Sequence, residues 1–290
     1  MRPTAAGILP PMQFAKWQAL GNDYIVIEAR DLPFELSPAR IQAICEPHLG
    51  IGSDGILLLS EPADPAHVAD LRIFNPDGSE AELSGNGVRE AVLYLRSAGW
   101  TDRDRFTIRT AAGEVSPELT GPGSARVAMG RAATESRDYP GGDPSGVGRI
   151  DVGGAEREFQ HVSIGNPQCA IEIDSGLEDL DLQAIGPEIE AAPAFPNRTN
   201  VSFWQADGSR VRARIFERGV GETLSSGTGA TGAAVAAHLR GAASPIVVDL
   251  DGGELEVEIS ANLDIHLTGT AEPVFAGALS ADFLARLSSI

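Results

Sequence analysis

The chain has 290 residues, with 41 acidic and 22 basic side chains and a formal net charge of −19. A sequence pI near 4.6 excludes the clustered Lys and Arg with which proteins replace phosphate counterions, so no nucleic-acid partner is expected. Lys16 is the only lysine, which removes a Walker A motif, and the two cysteines, Cys45 and Cys169, cannot build a zinc cluster or a disulfide framework.

No apolar run reaches the roughly 18 residues needed to cross a bilayer, so no membrane partner is expected. Residues 1–11, MRPTAAGILPP, hold one arginine and three prolines, too little for a signal peptide. They read as a flexible leader, with Met12 an alternative start. A soluble cytoplasmic protein is expected.

Strand-like runs follow at YIVIEA (24–29), GILLLSE (55–61), DLRIFN (70–75), FTIRTAA (106–112) and ARVAMG (125–130). They are alternating or β-branched and bounded by Gly, Pro and Asp. Helices are predicted over 38–45 and 88–97, where Val88, Ala91, Val92 and Leu95 have helical spacing. Residues 136–152 are rich in Gly, Pro and Asp and read as a linker. Beyond it come HVSIG (161–165), CAIEI (169–173), VRARIFE (211–217), a helix over 230–240, IVVDL (246–250) and ELEVEI (254–259). The helix ATGAAVAAHLR is nearly free of charge, as a helix buried on all sides is.

The chain contains one pattern twice. RIFNPDGSEAELSGNG (72–87) matches RIFERGVGETLSSGTG (214–229) at a gapless offset of 142. ALGNDYIVIE (19–28), TAAGEV (110–115) and ARVAMG (125–130) pair in order with SIGNPQCAIE (163–172), LDGGEL (250–255) and DIHLTG (264–269). Four collinear matches indicate an internal duplication. The expected fold class is α/β, with two pseudo-symmetric lobes: 12–135, the linker 136–152, and 153–290.

In each half a serine precedes Gly-x-Gly and a helix: Ser84 before Gly85–Asn86–Gly87, and Ser226 before Gly227–Thr228–Gly229. The glycines would let the backbone turn tightly and approach a ligand. The first helical N–H groups lack partners and sit at the positive end of the macrodipole, which suits an anion. Two such ends brought to one carboxylate would put the serines on opposite sides of the neighbouring carbon. That arrangement suits stereoinversion at an α-carbon without a cofactor. The plainer role of each serine is the helix N-cap.

FNPDGSEAELSGNGVR and ERGVGETLSSGTGA resemble the two signature segments of diaminopimelate epimerase, a cofactor-independent, proline-racemase-like family. ALGNDYIV (19–26), GIGSDGILL (50–58), SIGNPQC (163–169) and NRTNVSF (197–203) resemble further family segments in the expected order. The resemblance spans about residues 12–275. It implies, for each lobe, a curved and mostly antiparallel sheet around a central helix. It implies a small amino-acid substrate, L,L- and meso-2,6-diaminopimelate, no cofactor and no metal, in lysine and peptidoglycan precursor synthesis; a homodimer is compatible with it.

Residue by residue, the resemblance makes Ser84 and Ser226 the acid–base pair, where the family carries two cysteines. Glu217 matches a partner of that pair. Asn22, Asn75, Asn166, Asn200 and Arg218 match residues that grip the far end of the substrate. The backbone of Gly85, Asn86, Gly227 and Thr228 matches the carboxylate cradle. A thiol has a reference pKa near ~8.5, whereas a serine hydroxyl is a far weaker acid and needs a neighbouring base. Gln168 and Gly55 stand where the family often has His and Gln. His161 is a candidate replacement base or a structural residue.

Other readings come from the residues. GTGATG (227–232) is a literal dinucleotide fingerprint, but no buried strand runs directly into it. Neither serine lies in G-x-S-x-G, which disfavours a serine hydrolase. A related isomerase or dehydratase acting on another amino acid, or an amino-acid-binding homologue with impaired catalysis, keeps the same fold.

Overall fold

The computed structural model describes residues 12–152 and 154–290. The expected leader, 1–11, lies outside the described residues. The chain divides into two compact units, one ending at Ala125 and resuming over Ala271–Ile290, the other Arg126–Thr270.

In the first unit β1 (Gln13–Ala19) and β2 (Asn22–Glu28) form a hairpin. Helix α1 (Pro38–Cys45) follows, opened by Pro38 and by Ser37 Oγ, which accepts from the Arg40 amide. Next come β3 (Ile56–Ser60), β4 (Ala69–Phe74), the two-residue β5 (Glu80–Ala81), α2 (Gly85–Ser97), β6 (Ile108–Thr110) and β7 (Gly113–Val115). Strands β8 (Glu118–Gly121) and β9 (Ser124–Arg131) carry the chain onward.

The second unit contains β10 (Val147–Val152), β11 (Ala155–Ser163), β12 (Pro167–Glu172), α3 (Leu182–Glu190), β13 (Asn200–Asp207), β14 (Arg210–Glu217) and β15 (Gly221–Thr223). It continues with α4 (Gly227–Leu239), β16 (Ile246–Leu250), β17 (Gly253–Ile259) and β18 (Asp264–Thr270). The chain then returns to the first unit as β19 (Glu272–Ala278) and α5 (Ala281–Ser288).

The duplication survives as strand pairing. The first sheet runs β19-β1-β2-β3-β4-β6-β7, with β5 on β4; the second contains β10-β11-β12-β13-β14-β16-β17, with β15 on β14. In both, the third and fourth strands pair in parallel, as do the fifth and sixth, and the other pairs described are antiparallel. The parallel steps are those that a helix spans: α1 and α3 at the first, α2 and α4 at the second. The expected two-lobe α/β fold, mostly antiparallel with one central helix per lobe, is the fold observed.

Each central helix is enclosed. Val88, Ala91, Val92 and Leu95 of α2 are buried, and α2 packs on β1, β2, β3 and β19. Helix α4 is buried from Gly229 to Ala237, as its lack of charge predicts, against β11 to β14 and β16 to β18. The opposite faces carry the other cores: Ile25, Ile27, Ile56 and Phe74 with Ile41, Ile44, Leu284 and Leu287 in the first unit. In the second, Phe159, Ile171, Phe203 and Phe216 pack with Leu182 and Ile189.

The boundaries differ from those read in the sequence. Residues 271–290 leave the second half because β19 zips antiparallel along β1, from Gln13↔Ala278 to Gln18↔Glu272. Residues 126–135 join the second unit: Arg126 pairs with Glu258, Arg131 with Asp264, and the Ala132 amide donates to Leu263 O. The segment read as a linker ends in β10, which pairs with β11.

Candidate active site

Both serines are helix N-caps. Ser84 Oγ accepts from the Gly87 amide (3.1 Å) and opens α2; Ser226 Oγ accepts from the Gly229 amide (3.2 Å) and opens α4. The second glycine of each motif serves packing rather than ligand approach. A Cβ on Gly87 would lie 3.0 Å from Leu57 Cδ2, and one on Gly229 would lie 2.8 Å from Ile215 Cγ2. Gly-x-Gly therefore lets each helix start pressed against its own sheet.

The serines differ in their second partner. Ser226, 3% exposed, donates to Glu217 Oε2 at 2.9 Å, and Thr223 Oγ1 donates to Glu217 Oε1 at 2.9 Å. This carboxylate stands at the end of β14, and the tight β14–β15 hairpin brings it back over the helix start. The equivalent position in the first unit is Asn75. Its side chain donates to Ser79 Oγ (2.9 Å) inside the 75–79 turn, and its backbone bonds Ser79 and Gly78 there. Ser84 instead accepts from the Tyr24 hydroxyl at 3.3 Å.

Beside each helix start lies a loop asparagine. In the first unit Asn86 Nδ2 donates to Asn22 Oδ1 (3.1 Å), and Asn22 Nδ2 donates to Asp54 Oδ2 (2.8 Å). Arg89 closes the row from behind: Nη2 donates to Asn86 Oδ1 (2.6 Å) and Nη1 to Gly85 O (3.2 Å). A cation at one end and a carboxylate at the other orient both amides, because each carboxamide has a donor side and an acceptor side. In the second unit Gln168 Nε2 donates to Asn166 Oδ1 (2.7 Å), and Asn166 Nδ2 donates to Thr228 Oγ1 (3.2 Å). Asn22 thus turns its oxygen to the helix residue, and Asn166 turns its nitrogen.

Asn200 is buried and bridges loops: Nδ2 donates to Pro167 O (3.1 Å), and Oδ1 accepts from the Arg218 amide (2.9 Å). The half-buried Arg218 donates Nη1 to Asn197 O at 3.0 Å. The second unit therefore gathers Ser226 with Glu217, Asn166 with Thr228, and Asn200 with Arg218. The first gathers Ser84, Asn22 and Asn86, while Asn75 is held in its turn.

His161 is fully buried, with Nε2 2.9 Å from Ser136 Oγ and its ring against Tyr139 and Phe195. Burial pushes its pKa down, so it is a neutral packed imidazole. Burial raises both Cys45 and Cys169, which keeps them as inert thiols. No group of three or more His, Cys, Asp or Glu among the described residues is arranged to hold a metal. No helix among them is long and apolar enough to cross a membrane. The G-x-G-x-x-G run is entered from β15, a three-residue hairpin arm, rather than from a parallel strand as a dinucleotide site requires.

Tyr24, Asp54 and Arg89 were not singled out by sequence reasoning. The available signal was the repeat itself: in its alignment Tyr24 falls opposite Gln168, and Arg89 opposite Thr231.

The same fold occurs in solved structures of low sequence identity, among them a phenazine biosynthesis protein and an epimerase. A phenazine biosynthesis protein of the PhzF family from Bacillus anthracis superposes with a TM-score of 0.67 at 18% identity, covering 93% of this chain and 99% of that one. A hydroxyproline epimerase from Agrobacterium vitis, with bound trans-4-OH-L-proline, gives a TM-score of 0.65 at 16% identity, covering 93% and 91%. Sequence comparison narrows the class. The family model described as diaminopimelate epimerase matches residues 14–135 and 160–274. Diaminopimelate epimerase 2 of Nostoc sp. is 41% identical over 280 residues, covering 94% of this chain and 98% of that protein. The diaminopimelate epimerase of Thioalkalivibrio sulfidiphilus is 37% identical over 276 residues, covering 92% and 99%. The chain belongs to the diaminopimelate epimerase family.

Proposed function

We propose that this protein is a cytoplasmic, cofactor-independent isomerase that interconverts L,L- and meso-2,6-diaminopimelate by proton transfer at the α-carbon. The Ser226–Glu217 hydrogen bond carries the reading. A serine alone is too weak a base, but a carboxylate at 2.9 Å can take its proton as the oxygen removes the substrate's. Ser84 returns a proton to the α-carbon. The amides opening α2 and α4 at Gly85, Asn86, Gly227 and Thr228 stabilise the charge that spreads onto the α-carboxylate. Asn22, Asn75, Asn166, Asn200 and Arg218 are assigned to the distal amino and carboxylate groups.

The test is proton exchange. Protein incubated with L,L-diaminopimelate in D₂O should incorporate α-deuterium and form the meso isomer, and S84A and S226A should each abolish this. Exchange only in an S84C/S226C variant would mean a binding homologue that lacks a competent acid–base pair. Silence in both would remove diaminopimelate as the substrate.

A further inference from the structure

The two serines are served by different chemistry. Ser226 gives its hydrogen bond to a carboxylate, whereas Ser84 receives one from a phenol. The position of Glu217 is taken in the first unit by Asn75, whose side chain is engaged with Ser79. We propose that Tyr24 is a positioning residue that acts through Ser84, donating its hydroxyl to Ser84 Oγ so that this serine serves as the proton-delivering member of the pair. The inference rests on the reading of Ser84 as an acid–base group.

The packing and hydrogen bonding around Tyr24 support this role. Tyr24 is 6% exposed and sits on β2, beneath the start of α2, so its ring is fixed by packing rather than free to turn to solvent. Gly55 makes room for it: a Cβ there would lie 2.7 Å from Tyr24 Cε1, so the ring packs where any larger residue at 55 would collide with it. The hydroxyl meets Ser84 Oγ on an atom already accepting from the Gly87 amide. Both donors therefore converge on the oxygen that would carry negative charge after giving up its proton. At 3.3 Å the phenol bond is long for a resting hydroxyl pair and has room to shorten as that charge develops.

The proton inventory closes. When Ser84 delivers, its O–H bond breaks and the carbanion's electron pair forms the new C–H bond. The Tyr24 O–H bond breaks as a new O–H bond forms at Ser84, and the charge rests on the phenolate. The proton taken from the substrate stays on Ser226 Oγ, whose own proton has passed to Glu217. Water then receives the proton from Glu217 and returns one to Tyr24.

Two measurements test the role. Y24F keeps the buried ring and deletes one oxygen. It should retain the parent's thermal midpoint to within a few degrees and lose about 10- to 100-fold in kcat, with KM changed by less than about twofold. The second measurement is independent of substrate. In S84C the introduced thiol is titrated by its alkylation rate against pH; Cys45 and Cys169, both buried, give little background. Adding Y24F should move that profile up by about one pH unit, because a donor to the thiolate is lost. If Y24F does not fold, 3-fluorotyrosine at position 24 replaces it; the more acidic phenol should move the S84C profile down. An unchanged kcat in Y24F, or an S84C profile that responds to neither change, overturns the proposal. If the parent does not act on diaminopimelate, the substrate reading falls and the alkylation profile alone decides for or against Tyr24.

Discussion

Ser226 Oγ donates to Glu217 Oε2 at 2.9 Å while accepting from the Gly229 amide at 3.2 Å. One hydroxyl thus caps a helix and rests on a carboxylate. The hydroxyl proton is directed at the carboxylate because the amide occupies the other side of the oxygen. The two readings of this serine, cap and acid–base group, describe the same geometry.

Removing the charge of Glu217 separates them. E217Q keeps the hairpin and a hydrogen-bonding oxygen but cannot take a proton. The rate of α-deuterium exchange should fall by about 10²- to 10⁴-fold, with the urea midpoint little changed. An E217Q enzyme of parental rate would remove Glu217 from the mechanism.

The cap role has its own cost. S84A and S226A each delete an acceptor for a first-turn amide. Each should lose about 1 kcal/mol in urea unfolding, whatever happens to turnover. The buried Ser226 should lose more than the half-buried Ser84, since water can replace the missing partner only at the more open site.

Glu90 predicts a pH dependence. It is fully buried on α2 beside the equally buried Arg89, and burial holds its carboxyl well above the ordinary glutamate range. The folded state therefore binds a proton that the unfolded chain releases at lower pH. That contribution is full below the ordinary glutamate pKa and is lost progressively as pH rises toward the folded value. E90Q stays neutral throughout, so its unfolding free energy should gain on the parent between pH 5 and pH 8. Parallel curves would show that Glu90 ionises normally.

Gly232 sets a steric test. Alanine in a helix interior ordinarily gains up to about 1 kcal/mol over glycine. Here the added Cβ would fall 2.9 Å from Gln168 Cβ, the rigid base of that side chain. Overpacking of this kind costs about 1–3 kcal/mol, so G232A should be destabilised on balance. It should also disturb Asn166, which Gln168 holds at 2.7 Å. A more stable G232A would mean that β12 yields easily.

Helix α1 was legible to the residue, Pro38–Cys45, because Ser37 and Pro38 mark its start. Helices α2 and α4 each begin three residues before the predicted 88 and 230. Their first turns are Gly-x-Gly, which has no apolar face to read. Helices α3 and α5 were missed; α3 contains Pro187, which reads as a breaker. The duplication was evident over the signature segments and faded across α1 and α3, which share place and role but not sequence.

By itself the sequence determined the repeat, the class of fold, the family and the paired serines ahead of two helices. These are properties of local pattern and order. Only the tertiary structure decided what surrounds each serine. A carboxylate reaches Ser226 because the β14–β15 hairpin folds it back, while Asn75, at the matching place, turns into its own loop. A phenol reaches Ser84 because β2 runs beneath α2, 60 residues away in the chain. The return of β19 to β1 likewise depends on backbone pairing, which any side chains of suitable alternation can make. Hydrogen-bond partners distant in sequence are selected by packing, and a duplicated motif carries no record of which neighbours each copy will meet.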